Sequence, residues 1–78
     1  MLYNSFIVGQ VIGHLRSEKG LSQEALSALA DISRSHLTLI ENGRKTLRLD
    51  TLWHIAEALG IKPSTLILEV ERTANDTI

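Results

Sequence analysis

Between Arg34 and Arg48 the chain carries Arg34, Arg44, Lys45 and Arg48 against the single acid Glu41, a local balance of +3. The remaining residues hold four basic and eight acidic side chains, a balance of −4, so the net charge of −1 conceals an acidic body with one basic segment. Cations gathered in this way suit a polyanionic partner, although an ordinary solvated loop can share the composition. Other chemistries have less to work with. His14, His36 and His54 offer no pair at i, i+4 and there is no cysteine, so no metal site, thiol nucleophile or disulfide is expected. Ser, His and Asp occur without triad spacing, and no glycine-rich phosphate loop is present. A chain of 78 residues is one domain, 1–78, near the lower limit for a self-sufficient core and too small for a deep substrate pocket. No enzymatic activity, cofactor or small-molecule ligand is expected.

The elements that must position the basic segment read as helices throughout. Of the apolar residues (44% of the chain), only Tyr3, Phe6 and Trp53 are aromatic, so the core must be Leu, Ile, Val and Ala. Val8, Ile12 and Leu15 recur at i, i+4, i+7, with Val11 widening the stripe, and Lys19-Gly20 closes this first helix. Ser22 is the expected N-cap of a short second helix with Leu26, Leu29 and Ala30 on its buried face. Asp31 follows, then Ser33 as the next N-cap, Leu37 and Ile40 inward, and Asn42-Gly43 as the stop. Leu52, Ile55, Ala56 and Leu59 form a fourth helix ended by Gly60, and Pro63 suits the first position of a fifth containing Leu66, Ile67 and Val70. No segment alternates with period two, so no strand is expected. The tail 73–78 is expected to fray. The stretch before Arg16 is apolar-rich but lacks a positive leader and is shorter than the ~20 residues of a bilayer span, which predicts a cytoplasmic protein without membrane contact.

Two short helices joined by a tight turn at about 22–42 make a helix-turn-helix, whose second helix enters the major groove in DNA-binding proteins; spacing alone leaves an ordinary helical hairpin equally open. The runs Leu21-Ser22-Gln23-Glu24-Ala25-Leu26, Ile32-Ser33-Arg34-Ser35-His36-Leu37 and Ile40-Glu41-Asn42-Gly43-Arg44 resemble the phage-repressor (XRE-type) helix-turn-helix family. Thr51-Leu52, Ile55-Ala56 and Ala58-Leu59-Gly60 match that family's fourth helix, and the likeness covers about residues 6 to 70. Within the family the chain is most similar to the controller proteins of restriction–modification systems. The resemblance implies an all-α, five-helix lambda-repressor-like domain that binds double-stranded DNA as a homodimer on a palindromic operator and regulates transcription. An antitoxin that binds its promoter and a toxin, or an interaction module that has lost DNA binding, are the alternatives. Three positions depart from the family: Ser27 replaces a small alanine at the helix crossing, Asp31 replaces the turn glycine, and Arg48 replaces a serine cap of the fourth helix.

With Leu37 and Ile40 inward, 100° per residue turns Arg34, Ser35, Thr38 and Leu39 outward, with His36 between the faces. These five are the expected base-reading set. Arg34 can pair with guanine or clamp a phosphate, and Leu39 meets a thymine methyl or closes the edge of the core. Phosphate contacts are expected from Gln23, Ser33, Arg44, Lys45 and Thr46. The resemblance further implies a salt bridge between Arg16 and Glu41. One short recognition helix reads too few base pairs for useful specificity, hence the homodimer, with Trp53, Leu66 and Ile67 as its expected interface. Packing within the monomer is the competing reading for Leu66 and Ile67, and the better one for at least one of them.

Overall fold

The computed structural model describes residues 3–76. Five helices follow in order: α1 Ser5–Glu18, α2 Gln23–Leu29, α3 Arg34–Glu41, α4 Leu49–Ala58 and α5 Pro63–Asp76. No strand occurs among the described residues. Asn4 caps α1 by accepting from the amides of Phe6 and Ile7; Ser22 and Ser33 cap α2 and α3 by accepting from those of Ala25 and His36. Arg48 gives α4 no side-chain cap bond, as its departure from serine predicts; Asp50 in that helix's first turn forms an exposed ion pair with Arg48 instead.

The four helix ends before α5 close alike. After each, one residue turns left-handed and two amides reach back to the carbonyls of the last turn, as when Asp31 N–H donates to Ala28 and Ile32 N–H to Ser27. Gly20, Gly43 and Gly60 take that conformation without steric cost, and Asp31 adopts it at φ 58°. The aspartate thus meets the backbone demand of the turn that directs α3.

The core consists of Val8, Val11, Ile12, Leu26, Ala30, Leu37, Ile40, Ile55, Ala56, Leu59 and Leu66. It sits where α1 packs on α3 and α5, and α4 on α2 and α5. Ser27 fits the helix crossing while buried because its hydroxyl donates to the Glu24 carbonyl at 2.9 Å.

Three expectations need correction. Leu29 is 62% exposed, because Leu26 within α2 and Ala30 at its C-cap, one turn apart, carry the inward face and Leu29 lies off it. Leu66 is fully buried in the core rather than available to a second copy. Residues 73–76 are helical, since α5 runs to Asp76 and half-buries Thr73 and Ala74; Thr77 and Ile78, the rest of the expected frayed tail, lie outside the described residues.

Candidate nucleic-acid interface

The site is assembled from α1 outward. Gly9 lets α1 cross the end of α3 closely: a Cβ there would fall on the Ile40 carbonyl oxygen and lie 2.7 Å from that of Glu41. One turn on, Gly13 leaves room for the Glu41 carboxylate. Arg16 then meets Glu41 with two parallel bonds, Nε to Oε2 at 2.7 Å and Nη2 to Oε1 at 3.0 Å, and its Nη1 donates to the Leu21 carbonyl at 2.8 Å. The two side chains are only 18% and 8% exposed, so this pair is far less screened than a surface ion pair. The Glu41 hydrogen bond raises the pKa of Arg16 above its ordinary value, against an opposing effect of burial, and the Glu41 charge adds to the rise. A raised folded-state pKa stabilises below arginine's ordinary value and is lost only as pH climbs through the elevated one, so Arg16 keeps its charge throughout the physiological range.

The network continues into the helix-turn-helix. Gln23 Nε2 donates to Glu41 Oε1 at 3.0 Å. The carboxylate can only accept, which fixes the amide orientation and turns Gln23 Oε1 toward Thr38, whose hydroxyl donates to it at 3.1 Å. The same hydroxyl lies 3.0 Å from the Arg34 carbonyl. Helices α1, α2 and α3 are thereby joined by one chain of polar contacts, Arg16–Glu41–Gln23–Thr38. Thr38, expected as a base reader, is half-buried with its hydroxyl engaged, and Gln23, expected on a phosphate, retains only its second amide hydrogen for an outside acceptor.

Beyond this frame, α3 turns Arg34, Ser35 and Leu39 to solvent. Together with Gln23 and Thr38 they line one open depression. His36 is half-buried between the inner and outer faces, and Ser33 is exposed at the start of the helix. Arg44, Lys45 and Thr46 are exposed in the loop that follows α3. That loop is anchored in two ways that no sequence pattern announces. Gly43, at φ 74°, packs so closely on α1 that a Cβ would lie 2.7 Å from Phe6 Cα. The Tyr3 hydroxyl accepts from the Leu47 amide at 3.4 Å. A tyrosine that bonds a residue 44 positions away leaves no periodic signal by which to find it.

Exposed apolar residues also occur on α4 and α5. Leu49 and Trp53, one turn apart on α4, are 64% and 50% exposed, and Ile67 and Leu68 on α5 are also exposed. Of the three residues expected at a dimer interface, Trp53 and Ile67 are exposed and Leu66 is not. His14, His36 and His54 stand apart, and no cluster of potential metal ligands occurs among the described residues.

Comparison with known proteins identifies the family. The helix-turn-helix family model matches residues 12–66. An uncharacterized HTH-type transcriptional regulator, y4dJ of Sinorhizobium fredii, is 36% identical over 67 residues, spanning 86% of this chain and 87% of that protein. The control protein C.MunI of a Mycoplasma species is 38% identical over 65 residues, spanning 82% of this chain and 88% of its own. Among solved structures, the restriction-modification controller protein C.AhdI from Aeromonas hydrophila superposes with a TM-score of 0.77 at 37% identity, covering 80% of this chain and 94% of that one.

Proposed function

The chain belongs to the helix-turn-helix family of transcriptional regulators, which are not enzymes, and from that premise we propose that it binds a two-fold symmetric operator in double-stranded DNA as a homodimer. One observation carries this reading: α3 presents Arg34 and Ser35 on its outward face, and the loop that follows it exposes the cations Arg44 and Lys45, on a body otherwise rich in acids. A helix entering the major groove N-terminus first brings Arg34 and Ser35 to base edges, where a guanidinium matches guanine O6 and N7. His36, on the flank of α3, contacts the edge of a base or the backbone beside it. Arg44, Lys45, Thr46, Ser33 and the second amide hydrogen of Gln23 hold phosphates and fix the register without reading sequence. Thr38 acts chiefly from behind, by orienting Gln23.

The likeness to two controller proteins supports the same role here, control of transcription beside a restriction–modification gene pair. The exposed apolar residues of α4 and α5 supply the dimer contact, because a second copy would cover large side chains that the domain leaves in solvent. No helix among the described residues is long and apolar enough to cross a membrane, which accords with a cytoplasmic site of action.

Selection of duplexes from a random pool, followed by footprinting, tests the reading. We expect a palindromic consensus protected as two half-sites about 34 Å apart on one face of the duplex. Recovery of unrelated sequences held weakly and without salt dependence would refute it.

A further inference from the structure

We infer that Leu39 makes operator binding depend on the C5 methyl group of one pyrimidine in each half-site. The inference rests on the DNA-binding reading and adds a chemical group to what the protein recognises. Leu39 is 42% exposed, whereas Leu37 and Ile40 of the same helix are essentially inaccessible, so core packing does not account for a leucine here. It follows Ser35 by four residues, which places both on one face of α3 and Leu39 about 6 Å further along the axis. It lines the same open depression as Arg34, Ser35, Thr38 and Gln23.

The surroundings identify the occupant. Arg34 and Ser35 present hydrogen-bonding groups to the depression, and Arg44 and Lys45 follow in the next loop, so the face complements a polyanion rather than an apolar protein partner. The Thr38 hydroxyl is engaged with Gln23 and the Arg34 carbonyl, which leaves Leu39 as the apolar element among polar readers. The major groove offers one apolar feature to such a side chain, the C5 methyl group. Thymine carries it always, and cytosine carries it when methylated at C5. Burial of one methyl corresponds to about fourfold in affinity per half-site.

The test uses the full chain and the duplex it selects from a random pool. Each thymine of one half-site is replaced in turn by deoxyuridine, which removes only the methyl, and wild type is compared with Leu39→Ala. We expect one replacement to weaken wild type about fourfold and to leave Leu39→Ala unaffected. At that position 5-methylcytosine should bind wild type better than cytosine by a similar factor, and Leu39→Met, which keeps an apolar tip, should retain the discrimination. Equal loss in wild type and Leu39→Ala, or tolerance of uracil at every position, overturns the inference. Failure to select any preferred duplex overturns the DNA-binding reading itself, whereas a preferred duplex that tolerates uracil throughout removes only the role of Leu39. Leu39 lies outside the core, so an unchanged thermal midpoint for Leu39→Ala confirms that the comparison is one of binding.

Discussion

Arg34 and Lys45 are both exposed cations, but their positions give them different work. Arg34 opens α3, which enters the groove on the proposed reading, and Lys45 sits in the loop that follows that helix. Arg34→Ala should therefore lose about 1–3 kcal/mol per half-site on the selected operator and relax preference at one base pair. Lys45→Ala should weaken operator and scrambled duplex alike and reduce the salt slope by about 0.9 for each phosphate it no longer neutralises. Titrations of both variants on both duplexes separate the roles; an equal loss for Arg34→Ala on the two would make it a phosphate clamp. The outward placement of Arg34, Ser35 and Leu39 was legible in the sequence because helical geometry fixes it once Leu37 and Ile40 are placed inside. The engagement of Gln23 and Thr38 was not, since it depends on side-chain conformations drawn together from three helices and converging on one carboxylate.

At the scale of elements, the sequence marks its helices through caps and stops: Ser22, Ser33 and the left-handed residues that end four helices are local signals with local causes. Burial was harder to read. Leu29 and Leu66 are both leucines on amphipathic helices, and only the packing of α4 and α5 against the rest decides that one is exposed and the other enclosed. The crossing of α1 and α3 yields two tests. Glu41→Ala leaves the Arg16 guanidinium without its carboxylate in a mostly buried place and should cost about 3 kcal/mol in urea unfolding. A loss below about 1 kcal/mol would mean that the pair behaves as a surface bridge. Gly9→Ala drives a Cβ onto the Ile40 carbonyl, and should destabilise by about 1–3 kcal/mol through overpacking. Gly13→Ala makes the contrast: its Cβ would stand 3.3 Å from a movable Glu41 oxygen, and the gain in helix propensity of about 1 kcal/mol offsets the adjustment. Equal losses at the two glycines in thermal unfolding would mean that close approach at Gly9 does not set the crossing.

The molecule as a whole measures 33 × 23 × 21 Å, about one turn of duplex in its longest dimension, so one copy reaches a single half-site. On the proposed reading, sequence specificity comes from pairing two copies through the exposed apolar residues of α4 and α5. Trp53→Glu should shift sedimentation toward monomer at micromolar concentration and abolish protection of paired half-sites, while the core, which excludes Trp53, keeps its thermal midpoint. A dimer that persists in this variant would place the interface elsewhere. Whether this small, acidic domain reads DNA sequence is decided most directly by the affinity of the wild-type protein for its selected duplex and for a scrambled duplex of equal length and composition across a salt series. We expect a ratio of about a thousandfold or more, with both affinities falling steeply as salt rises. Equal affinities for the two duplexes, or binding indifferent to salt, would show that it does not.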